Sequence, residues 1–450
     1  MAAAKKIETE DCLFFSNPDP KTSDYLKHIE EFTQKFSTDA VFSFSNKTRN
    51  ESIDYEQEPF AVYEYDKKEE KFNWRASRWV GEIISKDYTI KVNPRFGNLC
   101  LFKMLEEIFS INILSNKVDQ NKNNDSIESI MQQFIPFIWE KKLSKANRYG
   151  VPRKNVKNYY KGNQIKGHLD VRKSIIPLFK EKQVISFSYE KQIDSTISLI
   201  IQQAYKILSK KRKIQLSDDS KNAIDNIKMA NIPNKRITDF EYQKIQYKSI
   251  YQSYKEVVDF SWQIIKNYNF MNKESDVSEG FSCWIDMAEI WELFLLSILK
   301  KSFSDWKVES PKINVYDKTF YSRHIIPDIV LTKDNDVMIF DAKWKKMNFV
   351  KDDVDRCDFF QIHTYVSYYQ ILGKNVKVAG LLYPFKDIQK EQNDSEDILF
   401  GINKETKFII GGISFPEKND NENVGSYMER FDAQKEIFIN NIKKVAELIE

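Results

Sequence analysis

The spacing of apolar residues divides the chain into stretches of different character. In "WRASRWVGEIISKDYTIKVNPRFGNLCLFKMLEEIF", Tyr88, Ile90 and Val92 alternate with polar neighbours, the period of two expected of a strand. Leu101, Met104, Leu105 and Ile108 then recur at intervals of three and four, which predicts a helix with one apolar face. Residues 185–270 read as mostly helical, for example through Ile197, Ile200, Ile201, Ala204, Tyr205 and Leu208. Near Ser275 the pattern changes again. "CWIDMAEIWELFLLSILKKSF" predicts a helix that is apolar on nearly every face, followed by strands around 312–332 and 336–345 and a helix at 358–372. "VKVAGLLYP" and "KFIIGGISF" predict two more strands, and a last helix spans 425–449. Residues 51–70 read as an acidic polar loop with short strands, and "DQNKNNDSIES" (119–129) as a loop or linker. The expectation is a multidomain α/β protein. A mixed α/β N-terminal domain covers 1–130, a basic segment and helical connector covers 131–274, and an α/β domain covers 275–450.

Length and composition agree with that division. A chain of 450 residues is too long for one ordinary core. With 41% hydrophobic residues, 30% charged residues and only 12 each of Gly and Pro, regular elements should dominate over loops. Cys12, Cys100, Cys283 and Cys357 lie far apart with no CxxC pair, which excludes a zinc ribbon or disulfide framework and suits a reducing cytosol. The start "MAAAKKIETEDCLFF" has no apolar signal core, and no run of membrane-spanning length occurs. A soluble cytoplasmic protein that makes no membrane contact is therefore expected.

Net charge is only +3 and points to no partner by itself, but the charge is unevenly spread. Residues 141–173 carry eleven Lys or Arg against one Asp, with Tyr149, Tyr159 and Tyr160 among them. Such a segment is either a phosphate-contacting surface or a solvated face that balances the acidic N-terminal region. Lys154, Lys157, Lys161 and Lys166 are its candidates for nucleic-acid or partner contact.

The chemistry-bearing pattern is "RHIIPDIVLTKDNDVMIFDAKWKK" (323–346). A two-residue turn at Asp334-Asn335 sets Lys333 opposite Asp336 and, counting outward, Asp328 opposite Asp341. Opposed side chains on paired strands lie about 5 Å apart, where like charges repel. A hard divalent cation removes the conflict. Mg²⁺, with Mn²⁺ able to substitute, takes oxygen ligands such as these two carboxylates and the Ala342 backbone carbonyl. Lys343, on the Asp341 face, would then stand beside the ion to orient or help deprotonate a water and to offset phosphate charge. Glu292, a carboxylate inside "AEIWELFLLSIL", fits an outer ligand or water holder, since a lone charge there is costly unless paired. Gln361 and Tyr365 share a helical face in "DFFQIHTYVSYY". Gln361 could steady Lys343 or a phosphate, and Tyr365 is a further candidate for nucleic-acid or partner contact. His168, His324 and His363 have no ligand spacing and read as packing or surface residues. No GxxxxGK[ST] loop is present, so nucleotide hydrolysis is not expected of this chain.

Glu292, the "PD" at 327–328, the "DAK" at 341–343 and the Gln361/Tyr365 helix resemble the PD-(D/E)xK nuclease superfamily. More narrowly, "DMAEIWELF", "PDIVL", "DAKWK", "DFFQIHTY" and "GLLYP" resemble the nuclease domain of McrC proteins, the endonuclease subunits of McrBC-type modification-dependent restriction systems. "RWVGEIISKDYTIKVNPRFG" is similar to that family's N-terminal region, with Pro94-Arg95 where the family has Pro-Lys. Lys166-Gly167-His168-Leu169-Asp170 resembles its RGxxD-like motif, with Lys in place of Arg. The resemblance implies a restriction-endonuclease-like fold for the last domain and Mg²⁺-dependent cutting of DNA that carries modified bases. It also implies a GTP-hydrolysing AAA+ ring of the McrB type as partner. Two other readings stay open on the residues alone: a stand-alone DNA or RNA nuclease, and a non-catalytic adaptor that activates an AAA+ ring.

Overall fold

The computed structural model describes residues 5–16, 24–36, 41–45, 58–84, 88–111, 127–210, 214–274, 284–316, 323–347, 354–386, 395–399, 403–418 and 422–447. The acidic residues 51–57, most of the polar stretch 119–129 and Cys283 lie outside the described residues. By its contacts the chain divides into two units. One comprises Met1–Met131, Phe270–Ser278 and Ser282–Glu450, the other Gln132–Asn269 and Glu279–Phe281. The described residues hold several sheets and eleven α-helices, a mixed α/β architecture.

The first unit contains a five-stranded sheet in the order Lys5–Glu10, Tyr88–Asn93, Trp79–Ile84, Trp284–Asp286, Val41–Phe42. Lys5–Glu10 runs parallel to Tyr88–Asn93, which pairs antiparallel with Trp79–Ile84. Ile90 and Val92, the alternating positions of the sequence, are buried in a core with Ile7, Phe32, Phe60 and Trp284. The strand Trp284–Asp286 occupies the start of what the apolar run predicts as helix. The helix instead covers Met287–Ser302, because Asp286 stays extended and caps it, accepting the Ala288 N–H at 3.0 Å. Gly97–Phe109 is the predicted amphipathic helix and buries Leu101, Met104 and Leu105.

A six-stranded sheet follows in the order Lys307–Glu309, Ile329–Lys333, Asp336–Ala342, Asn375–Lys386, Asn403–Phe415, Ser395–Leu399. Ile329–Lys333 and Asp336–Ala342 form an antiparallel hairpin, with Lys333 facing Asp336 and Ile329 facing Phe340. The turn places Asp334 in the left-handed region (φ 53°), which Asp tolerates better than most residues. Asp336–Ala342, Asn375–Lys386 and Asn403–Phe415 then run parallel. Parallel neighbours need a long crossover, and the helix Arg356–Ile371 provides one. Its Ile362, Tyr365 and Val366 pack on Val337, Ile339, Val376 and Leu381.

Residues 185–270 are mostly helical, as read, but they begin with a strand. Val184–Ile193 is a strand at the centre of an antiparallel sheet, flanked by Arg153–Gly162 and His168–Leu169. Ile185, Phe187 and Tyr189 alternate there with Ser186 and Ser188, a period-two signal that the longer helical runs mask. Gly167 in the Lys-Gly-His-Leu-Asp motif has φ 80°, and a Cβ on it would lie 2.5 Å from the Phe187 carbonyl oxygen, so only glycine fits. Asp170 of that motif caps the helix Val171–Glu181 by accepting the Lys173 N–H at 3.1 Å. The helix Ser195–Leu208 buries Ile197, Ile200, Ile201, Ala204 and Leu208.

Candidate active site

The hairpin register carries the site. The paired rungs end at Ile329 and Phe340, so the next positions outward are Asp328 and Asp341. Asp341 is fully buried. The ammonium of Lys343 lies 2.5 Å from its Oδ2. Across the hairpin, Asp328 Oδ2 accepts the Ala342 N–H at 2.9 Å, which brings the Asp328 carboxyl to the end of the partner strand.

Electrostatics mark the place as strained by like charge. Burial pushes the Asp328 carboxyl well above the usual carboxylate range, and the charges of Asp341 and Glu292 push it further. The Ala342 N–H and the Lys343 ammonium oppose that shift. Burial also raises Asp341, against the pull of Lys343. For Lys343 itself burial favours the neutral amine, but the carboxylates of Asp341 and Asp358 outweigh it and leave the amine a stronger base than usual.

A short chain of hydrogen bonds fixes that ammonium from the crossover helix. Lys343 Nζ donates to Gln361 Oε1 at 2.8 Å, and Gln361 Nε2 donates to the Tyr365 hydroxyl at 2.8 Å. Tyr365, only 3% exposed, donates in turn to the Ile326 carbonyl at 3.2 Å, beside Pro327-Asp328. The spacing of four along the helix is what lets one turn carry both side chains. Asp358, one turn earlier on that helix, is buried and lies 3.2 Å from Lys343 Nζ and 2.6 Å from Lys345 Nζ. Sequence reasoning overlooked it. The available signal was its i−3 spacing from Gln361.

The structure thus draws Asp328, Asp341, Lys343, Gln361 and Tyr365 together, with Tyr365 inside the core. Glu292 is half-buried on the helix Met287–Ser302, close enough for its charge to act on Asp328. Lys154, Lys157, Lys161 and Lys166 belong to the other unit. Alternation along Arg153–Gly162 sets Lys157 and Lys161 on one face of the strand and Lys154 on the other. Lys157 stands 3.5 Å from the centre of the Phe187 ring, and Lys161 pairs with Glu181 at 2.5 Å. Lys166 lies 5.4 Å from the Tyr160 ring. His363 Nδ1 is 2.7 Å from the Phe359 carbonyl of its own helix.

Among the described residues no three His, Cys, Asp or Glu side chains close into a metal cage. The half-buried Asp328 carboxyl, the buried Asp341 carboxyl and the neighbouring Ala342 backbone carbonyl nevertheless match the sparse oxygen set that Mg²⁺ accepts.

Residues 74–384 match the model of a family described as "McrBC 5-methylcytosine restriction system component". No curated relative matches the chain. Among solved structures, the chain is similar to a half-complex from the tetradecameric assembly of Thermococcus gammatolerans McrB AAA+ hexamers with bound McrC. Identity is 14%, with 95% of this chain and 99% of that chain covered and a TM-score of 0.45. A cryo-EM structure of the Thermococcus gammatolerans McrBC complex matches at 12% identity over 67% of this chain and 89% of that one, with a TM-score of 0.36.

Proposed function

Because the chain belongs to the family of McrBC 5-methylcytosine restriction system components, we propose that it is the McrC-type subunit, a DNA endonuclease that cuts phosphodiester bonds at Asp328, Asp341 and Lys343. The observation that carries this reading is the fully buried Asp341 carboxylate, one position beyond the last hairpin pair at the end where Asp328 also lies, with the Lys343 ammonium 2.5 Å from its Oδ2. A structural hairpin has no use for such an arrangement, since removing the charges would stabilise it.

Asp328, Asp341 and the Ala342 carbonyl are the groups that would hold Mg²⁺ or Mn²⁺, with Glu292 further out. The bound ion supplies a polarised phosphate oxygen and a water of lowered pKa. The side chains divide the remaining work. Lys343 keeps its positive charge beside the scissile phosphate and offsets the charge that builds there. Gln361 holds the ammonium in one orientation, Tyr365 holds Gln361, and Asp358 balances both Lys343 and Lys345. A fixed donor needs no reorganisation when the substrate arrives, which is the physical value of the chain.

The given sequence holds no phosphate-binding GxxxxGK[ST] loop, which fits nucleotide hydrolysis by another protein. We take that partner to be an AAA+ GTPase ring of the McrB type, whose activity this subunit stimulates, and the DNA to carry modified bases. Residues 1–130 are the proposed ring contact, residues 131–274 a basic connector and residues 275–450 the PD-(D/E)xK nuclease part. The cytoplasm is the compartment such a system works in. Lys343→Ala tests the site. In the reconstituted complex with GTP, Mg²⁺ and 5-methylcytosine DNA, cleavage should fall at least about 100-fold, the scale for losing one charge-stabilising group. Cleavage within a few-fold of wild type would sink the assignment.

A further inference from the structure

The sequence motif that the hydrolytic site leaves unexplained is Pro94-Arg95, and the structure gives it a place. Arg95 stands between the strand Tyr88–Asn93 and the helix Gly97–Phe109, in a turn closed by the Gly97 N–H on the Pro94 carbonyl at 2.8 Å. Its backbone N–H donates to Asp11 Oδ1 at 2.7 Å, and its Nε lies 3.6 Å from Asp11 Oδ2. Asp11 is fully buried at the end of the edge strand Lys5–Glu10. The same carboxylate accepts the indole N–H of Trp344 at 2.6 Å. The Arg95 guanidinium lies 4.6 Å from the centre of the Trp344 ring and donates to the Lys345 carbonyl at 3.4 Å.

These contacts fall immediately after Lys343. The strand ends at Ala342, and the Lys343 N–H donates to the Leu382 carbonyl at 2.9 Å as a last rung. The sheet ladder does not continue through Trp344 and Lys345. They are held instead by Asp11 and Arg95, with Phe96 and Trp291 packed beside the Trp344 ring at 5.5 and 6.1 Å. A buried carboxylate is costly unless paired, and Asp11 is paired by the Arg95 backbone N–H and the Trp344 indole N–H.

We propose that Asp11 and Arg95 are positioning residues for the hydrolytic site: by gripping Trp344 and Lys345 they fix the Asp341–Lys343 segment against the N-terminal sheet. The inference rests on the reading of Asp341 and Lys343 as that site. A shift of the edge strand or of the Pro94-Arg95 turn therefore reaches Lys343 through two side chains.

Hydrogen–deuterium exchange on the full chain tests it without needing catalysis. Arg95→Met should speed exchange in the 338–346 peptide about 10-fold or more, as local opening replaces a fixed end, while strand Asn375–Lys386 stays protected. Arg95→Lys, which keeps the cation, should restore most of the protection. Arg430→Met, which removes a bidentate pair with Glu422 on the last helix, should leave the peptide unchanged. Mg²⁺ affinity of Arg95→Met, read by calorimetry, should fall about 10–100-fold, the usual effect of losing an outer support of a metal ligand. Asp11→Asn carries the same test should Arg95→Met not fold. Unchanged exchange overturns the proposal, as does equal loosening in Arg430→Met. So does loosened exchange with Mg²⁺ affinity intact. A wild-type chain that binds no Mg²⁺ defeats the metal reading alone, and the exchange pattern then still decides the positioning role.

Discussion

Asp328 and Asp341 hold their protons longer than free carboxyls do, and that has a measurable consequence for stability. A carboxyl whose folded pKa lies above its unfolded one binds more protons in the folded state, so stability is greatest below the unfolded pKa, about 4, and declines as pH rises. Asp328→Asn removes Asp328's share of that decline and keeps an oxygen for the Ala342 N–H. In the metal-free chain at pH 7 the variant should be more stable than wild type by about 1–3 kcal/mol, the scale of an uncompensated buried polar group. The gain should shrink toward zero as pH is lowered through 4. Urea denaturation at several pH values reads both, and a variant less stable than wild type at pH 7 would contradict the electrostatic account. At this scale the sequence was informative where spacing alone determined contact. Counting outward from Asp334-Asn335 leads to the register that the structure has. Asp358 had a local signal in its spacing from Gln361, but the Asp11–Arg95 pair had none, since nothing in a linear pattern records that Asp11 meets Trp344.

The elements with a sustained period were the legible ones. The helix Arg356–Ile371 and the strand Asn375–Lys386 carry enough periodic positions to be read directly. The three-residue strand Trp284–Asp286 has too few, and its apolar residues merged with those of the helix behind it. Val184–Ile193 was masked for a different reason, since the longer helical runs after it dominate the pattern, and its Phe187 and Tyr189 meet His168 and Tyr159 only in the folded sheet. Gly167 tests this part of the fold. Ala there must adopt a left-handed backbone and push against the Phe187 carbonyl. Gly167→Ala should destabilise the chain by about 1–3 kcal/mol, seen as a lower Tm. An unchanged Tm would mean that the turn before His168–Leu169 is not built as described.

At the scale of the molecule, the chain leaves its first unit after Met131 and comes back to it beyond Asn269. Trp284 is fully buried among residues drawn from Ile7 to Val92, and Trp344 is tied to Asp11. A fragment of residues 282–450 alone would expose both indoles and leave the strand Trp284–Asp286 unpaired. It should therefore lack a cooperative unfolding transition that the full chain has. A sharp, reversible transition in the isolated fragment would contradict this. Connectivity of this kind was not legible, because composition does not say which distant segments share a core. The central claim is that hydrolysis occurs at the Asp328–Asp341 rung of a chain whose partner supplies the GTPase. Its most direct test is Asp341→Ala in the complex reconstituted with the AAA+ partner, GTP, Mg²⁺ and 5-methylcytosine DNA. The account predicts that cleavage is lost while stimulation of GTP hydrolysis remains. DNA cutting at the wild-type rate by purified Asp341→Ala complex would contradict it.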